Sequence, residues 1–471
     1  MSDDTQDIQL FKKQERIYPK RVSGTYRNLK WLAMIVCLAI YYIAPFIRWD
    51  RGPNAPDQAV LIDLNHGRAY WFWFEIWPQE VYILTGILIL AAILLFFVTS
   101  LFGRVWCGYF CFHTVWSDLF IWVERIVQGD RTKRKRLREG PWTFEKIWKL
   151  VATHIIWIVI SFLTAGTFVL YFNDAPTLVQ NFLNLNVSTT VLWFVAGLTG
   201  STYLMAGFAR EQVCTFMCPY ARFQSAMFDK DTLIIGYNKE RGEPRGKHKK
   251  GADWTGLGDC IDCHACVHVC PTGIDIRDGL QMECIACGLC ADACDEIMDK
   301  VGLPRQLIAY DTERRSEQRA RGETPEPFKI FRMRTLYYSL VILIVGSLML
   351  NALINRDLMD LTVLHDRNPL FVQLSNGNIR NGYDLKILNK SHEHKTFSLS
   401  VSGVEGAEMT LNSAGNITTD NIYVPADSVG KYKVFVQAPK PAEGHKDIIF
   451  TLKDLSDGTV DEYQSRFVSK R

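Results

Sequence analysis

Five stretches of almost unbroken apolar residues, separated by polar and charged segments, give the chain its first organisation. Leu29–Ile47, Val81–Phe102, Ile147–Phe172, Val187–Phe208 and Thr335–Ile354 each approach or exceed the roughly 20 residues a helix needs to cross a bilayer. The second contains ILTGILILAAILLFFVTS, without a charge, and all five predict transmembrane helices. Beyond Leu358 the pattern shifts to period two, in runs such as YDLKILNKS, TFSLSVSG, GKYKVFVQAP and DIIFTLKD divided by turn residues. About 110 residues holding some seven or eight such strands predict an immunoglobulin-like β-sandwich.

The charges between the spans predict sidedness. Met1–Lys30 carries Lys12, Lys13, Arg16, Lys20, Arg21, Arg27 and Lys30, with no small-residue cleavage site, so the first span reads as an uncleaved membrane helix. The run RTKRKRLREG from Arg131 to Gly140 places its loop on the cytoplasmic side and reads as a topology determinant contacting anionic lipid. The loop NDAPTLVQNFLNLN has no lysine or arginine and faces outward. Arg332 and Arg334 precede the last span, whose far end then emerges outside. Between Arg48 and Glu80, Trp71, Trp73 and Trp77 suggest an aromatic belt at the membrane surface. A net charge of +3 is too small to argue for nucleic acid, and 48% hydrophobic content over 471 residues allows several domains.

The partition that follows is a cytoplasmic N-terminal segment (1–28) and a four-helix membrane region (29–210). A cytoplasmic interface (211–252), a two-cluster ferredoxin-like α+β insert (253–310) and a linker (311–334) come next, before the fifth span (335–354) and a periplasmic sandwich (358–471). The fold class is a multi-domain membrane protein with about five transmembrane α-helices, the ferredoxin-like insert and a C-terminal all-β immunoglobulin-like domain.

The chemistry lies in the cysteines. CIDCHACVHVCP and CIACGLCADACD are two consecutive runs of C-x2-C-x2-C-x3-C, the spacing of a ferredoxin with two [4Fe-4S] clusters, in which the fourth thiolate of each run serves the other cluster. Cys260, Cys263 and Cys266 are therefore expected to share a cluster with Cys294, and Cys284, Cys287 and Cys290 to share the other with Cys270. Pro271 ends the first run, whereas Asp295 stands where a second proline is expected. A zinc or disulfide framework is the competing reading, disfavoured by eight cysteines in two equal runs.

Cys107 with Cys111, and Cys214 with Cys218, form a second constellation. Each is C-x3-C after a span closed by an arginine, in FGRVWCGYFC and FAREQVCTFMC, a weak internal duplication. On a helix such thiols lie one turn apart on one face. Buried small hydrophobes are the plain alternative; the functional reading is a soft-donor site for copper, zinc or an iron-sulfur centre, or two redox dithiols. His154 within the third span reads as a hydrogen-bonded packing residue, His113 as a metal ligand or a solvated interfacial group, and Cys37 as core. His392 and His394 read as an exposed loop that could hold a metal transiently.

In its order of parts, and in WCGYFC, CTFMCPYARFQ and the tandem ferredoxin motif, the chain resembles the CcoG/RdxA/FixG family of cytochrome c oxidase accessory proteins over essentially its full length. The resemblance implies a bacterial inner-membrane iron-sulfur protein that acts in maturation of cbb3-type oxidase by reducing Cu(II) to Cu(I). Its implied partners are the bilayer, the oxidase assembly or copper-delivery proteins, and a cytoplasmic or quinol electron donor. Cys107, Cys111, Cys214 and Cys218 are the implied copper-handling, catalytic thiols. A quinol-linked electron relay of the NapH type and a non-catalytic assembly scaffold are the alternatives.

Overall fold

The computed structural model describes residues 16–52, 54–247, 255–412, 418–441 and 444–469. Lys12, Lys13 and the expected start of the ferredoxin insert at Asp253 lie outside them. The chain divides into two compact units, one of residues 1–47 and 59–349, the other of residues 48–58 and 350–471.

In the first unit the helices run α1 (Thr25–Ile43), α2 (Val81–Phe102), α3 (Val105–Tyr109), α4 (Phe112–Gln128), α5 (Arg131–Glu139), α6 (Phe144–Leu170), α7 (Ala175–Leu183) and α8 (Thr189–Leu204). They continue through α9 (Pro219–Met227), α10 (Lys239–Gly242), α11 (Ala265–Val269), α12 (Leu289–Val301), α13 (Glu313–Ala320) and α14 (Met333–Ile354), the last shared between the units at its C-terminal end. Among the described residues five helices are long and apolar enough to cross a membrane: Thr25–Phe46, Pro78–Phe102, Phe144–Leu170, Thr189–Ala209 and Met333–Ile354. α2 and α14 are apolar on all sides and bury little protein surface, as lipid-facing helices do. Gly86 lets them meet, because a Cβ there would overlap the Met349 side chain.

α6 and α4 carry the packed centre. Trp157 of α6, fully buried, stacks on Phe120 of α4 with ring centroids 5.1 Å apart, and Met34, Val115, Trp116 and Ala206 close round them. α4 is amphipathic rather than spanning, so its polar side can bury two acids. Asp118 takes Arg27 at 2.8 Å, with Lys30 at 4.0 Å. Glu124 takes Arg210 at 2.7 Å, Arg134 at 2.9 Å and Arg16 at 3.1 Å.

Two expectations change here. Arg134 is completely buried on Glu124 and the Pro19 carbonyl, so this member of the basic run packs against protein instead of lipid, because an unpaired carboxylate beneath it would be costlier. Residues 60–76 form a three-stranded antiparallel sheet, β1 (Val60–Asp63), β2 (Arg68–Trp71) and β3 (Phe74–Ile76). Trp77 is buried with the Arg68 guanidinium 3.5 Å from its ring, leaving Trp73, 75% exposed, for an interfacial role.

β4 (Ile234–Tyr237) pairs antiparallel with β5 (Ile308–Asp311), register Ile234↔Asp311 to Tyr237↔Ile308, and closes the cysteine-rich module. The module thus reaches back to Ile234, earlier than the expected boundary at 253, because the outer strand finds its partner only across the fold.

The second unit is a sandwich of β6 (Met359–His365), β7 (Val372–Gln373), β8 (Ile379–Asn389), β9 (Lys395–Ser402), β10 (Glu408–Asn412), β11 (Ile422–Val424), β12 (Ser428–Ala438), β13 (His445–Asp454) and β14 (Val460–Val468). One sheet has order β10-β12-β8-β6 with β7 on β8, the other β11-β9-β13-β14. Alternate residues such as Tyr383, Leu385 and Ile387 face Phe397, Phe450 and Phe467 in the core. His392 pairs with Asp427 at 2.9 Å, and His394 Nδ1 accepts the Ala426 N–H at 3.3 Å.

Candidate functional site

The two cysteine runs have the same backbone. In the first, Asp262 and His264 adopt positive φ (52° and 54°); in the second, Ala286 and Gly288 do so at the equivalent positions (51° and 74°). Three of these four are not glycine, so the turn is imposed by the surrounding structure against a local preference. α11 follows the first loop and α12 the second. Two cavities result. Cys260, Cys263, Cys266 and Cys294 line one; Cys270, Cys284, Cys287 and Cys290 line the other, with Cys266 at the wall between them.

Burial pushes the thiols of Cys266, Cys284 and Cys294 up to about 12, and that of Cys290 well above its ordinary value. A bound metal would offset that cost, since metal ligation takes the thiolate form. Arg277 braces the first loop through Asp262 and Asp275, each at 2.6 Å. Asp295, lacking the expected proline, instead accepts the Gln306 N–H at 2.8 Å.

The second loop rests directly on the first C-x3-C pair. Gly108, inside WCGYFC, is so close that an added Cβ would lie 2.8 Å from the Ile285 carbonyl oxygen and 3.1 Å from Cys287 Cα. Tyr109 Oη donates to the Cys287 carbonyl at 3.0 Å, and Tyr310 Oη to that of Ala286 at 2.5 Å. Arg104 donates to the carbonyls of Met282 and Cys284, and to that of Ala221 on α9.

Cys107 and Cys214 pack on the same apolar patch, with Ile285, Cys287 and Leu289. Burial pushes Cys107 up to about 12, with the Cys111 thiol next, and Cys214 up to about 11, again with Cys111 next and then Cys218. The four thiols therefore share one electrostatic neighbourhood. They do not sit on continuous helices as the spacing suggested. α3 ends at Tyr109 and Cys111 is the extended N-cap of α4; a π-helical turn, Val213–Met217, holds Cys214, and Cys218 is the extended N-cap of α9. Each N-cap cysteine swings off the preceding turn, and Pro219 enforces the second break by removing a backbone donor.

Two residues that the sequence motifs contain without assigning them a contact belong to this site. Gln224, fully buried, accepts the Cys107 thiol at 3.3 Å and has no hydrogen-bond partner for Nε2 among the described residues. Arg104, 5% exposed, is the second; they stand in CTFMCPYARFQ and FGRVWCGYFC, but only packing reveals their surroundings. His113 Nε2 is engaged with the Arg210 carbonyl at 2.7 Å. His154 bonds Tyr203 Oη at 3.0 Å amid Trp157 and Phe208, and Cys37 packs on the helix core.

Spanning helices with paired cysteine cavities define a multi-pass membrane iron-sulfur protein of electron transfer. Residues 209–313 match the family described as "4Fe-4S dicluster domain", residues 84–132 "4Fe-4S binding domain" and residues 349–470 "IG-like fold at C-terminal of FixG"; the chain carries two [4Fe-4S] clusters. It is 46% identical to nitrogen fixation protein FixG of Rhizobium meliloti (97% of this chain, 93% of the relative). It is 46% identical to protein RdxA of Cereibacter sphaeroides (91% of each) and 47% identical to protein RdxB of the same organism (97% of each). The chain belongs to the CcoG/RdxA/FixG family.

Proposed function

We propose that the chain passes electrons from its two clusters to Cu(II) held by Cys107, Cys111, Cys214 and Cys218, delivering Cu(I) for assembly of the copper centre of cbb3-type cytochrome oxidase. Cys260, Cys263, Cys266 and Cys294 would hold one cluster, and Cys270, Cys284, Cys287 and Cys290 the other, each able to release one electron to one copper ion. The observation that carries this reading is the contact of the Cys284–Cys287 loop with Gly108, between the two thiols of the first pair. Four soft donors suit Cu(I), whose formation from Cu(II) is favoured by thiolate ligation. The loop charges support a bacterial inner membrane, with the cluster module cytoplasmic and the sandwich periplasmic, where oxidase-assembly or copper-delivery proteins are its partners.

Anaerobic, cluster-reduced protein titrated with Cu(II) should reoxidise its clusters in step with Cu(I) formation. Replacing Cys107 and Cys214 together by serine should abolish that reaction and leave both cluster signals; undiminished reduction would refute the copper assignment.

A quinol-linked relay is the second reading, favoured by one feature. Cys218 borders an open depression of about 520 Å³ lined by Phe216, Met217, Pro219 and Phe223 with Arg222 beside them, a mainly apolar setting suited to a quinol ring. Quinol-dependent cluster reduction without copper would support it.

A further inference from the structure

The two-stranded sheet that closes the cysteine-rich module has a second face. Its inner residues are part of the cavity walls, Ile235 for the Cys284 cavity, Tyr237 and Ile308 for the Cys260 cavity. Outside, Gly236 stands in register with Ala309 and the two small residues floor a groove of about 540 Å³. A Cβ on Gly236 would meet nothing nearer than Asp311 Cβ at 3.9 Å, so the floor is open.

The rim of this groove is short of negative charge. Asp311 is shared by two arginines, Arg315 at 3.3 Å and Arg319, so one carboxylate serves two guanidiniums. Arg241 and Arg305 also line it, but are neutralised by Asp259 at 2.6 Å and Asp299 at 2.7 Å. Lys239 adds a further cation and Glu313 the other acid.

We propose that this groove binds a reduced phosphorylated flavin, and that electrons reach the clusters from it across the β4–β5 sheet. The size falls in the range of small-molecule sites, about 300–1,000 Å³. A flat ring fits a floor of glycine and alanine, and a phosphate suits a rim where Arg315 and Arg319 share one carboxylate and Lys239 adds a further cation. Each cluster takes a single electron, whereas a nicotinamide delivers a hydride; a dihydroflavin can release its electrons singly. One dihydroflavin thus reduces both clusters by one electron each, from [4Fe-4S]2+ to [4Fe-4S]+, loses two protons to solvent and leaves as oxidised flavin. The proposal rests on the iron-sulfur class of the protein and is independent of the copper reading.

The test uses full-length, anaerobic protein with both clusters oxidised and no copper present, mixed with reduced flavin mononucleotide while cluster bleaching is followed. Reduction should saturate, and reduced riboflavin, which lacks the phosphate, should need about tenfold more for half-saturation. The double variant R315Q/R319Q should remove that difference, with iron content and dithionite-reduced resonance signals unchanged. Rates linear in flavin without saturation, or equal behaviour of the two flavins with native protein, would overturn the proposal even if the variant failed to fold. Reduction only by an acidic protein donor would do the same.

Discussion

At the scale of single residues, Arg104, the arginine that closes the second span, is the most consequential side chain whose contacts no spacing announces. It is buried, bonds only to backbone carbonyls, has an unpartnered Nε and makes no ion pair among the described residues. A fixed cation against the Cys284 loop favours whichever state there is more negative, hence the reduced cluster. Replacing it by glutamine should lower the midpoint potential of the cluster in the Cys270/Cys284/Cys287/Cys290 cavity by about 59 mV, the equivalent of tenfold in the one-electron equilibrium. Lysine should restore most of the shift, and a resonance-monitored redox titration reads both; an unchanged potential in the glutamine variant counts against the role.

Glu124 is the second such residue. Burial opposes its ionisation, but Arg210, Arg134 and Arg16 hold its carboxyl below the ordinary glutamate value of 4.5. A depressed folded-state value means that its contribution is present above the unfolded value, and is lost as pH falls through the folded one. Glu124→Gln should cost about 3–5 kcal/mol near neutral pH, since it leaves buried guanidiniums uncompensated. The gap between native and variant melting temperatures should narrow below about pH 4; a constant gap from pH 7 downward would show that the charge is not what matters.

Between elements, the module and the membrane helices are joined by a cap supplied in trans. α1 begins after Gly24, which has no side chain to accept its first N–H groups. Asp292 of α12 does so, taking the N–H of Arg27 at 2.7 Å and of Tyr26 at 3.2 Å, and Gly24 is small because a Cβ would overlap that carboxylate. Asp292→Ala should destabilise the joint by about 1 kcal/mol, as loss of an N-cap does. Hydrogen exchange of the first turn of α1 should quicken while cluster content stays the same. Faster exchange confined to α12 would argue against the cap.

The duplicated C-x3-C elements are built alike, a span ending in a positive-φ residue, a short helical turn and an N-cap cysteine. Gly103 (φ 58°) and Arg210 (φ 35°) make the two bends. The second repeat has one more residue between arginine and first cysteine, in a region where the helical turn is π-wound. Gly108→Val should displace the Cys284–Cys287 loop through the contacts at 2.8 Å and 3.1 Å, and reduce iron content selectively. Iron analysis with resonance spectra of the remaining cluster would check this.

For the whole molecule, the sandwich forms its own compact unit together with residues 48–58, where Asn54 Nδ2 donates to the Ala426 carbonyl at 3.0 Å. Removing the chain after Leu358 separates reductase from scaffold. A protein whose task is electron transfer should retain Cu(II) reduction and cluster signals in detergent, while an assembly scaffold would retain its clusters but fail to support oxidase maturation in cells.

What the sequence determined by itself is what depends on local spacing and composition. Span length, the period-two alternation of the sandwich and the C-x2-C-x2-C-x3-C runs are each readable because neighbouring residues decide them. Tertiary structure decided what depends on distant partners. β4 is a strand of the module because of β5, seventy-odd residues on, and Arg134 is buried because Glu124 needs it. Cys111 and Cys218 became helix caps where spacing alone suggested a shared helix face. The meeting of Gly108 with the Cys284–Cys287 loop, which sets the thiol pairs beside the cluster module, joins segments far apart in the chain. Such proximity has no local signal, because burial and charge compensation are properties of the packed whole.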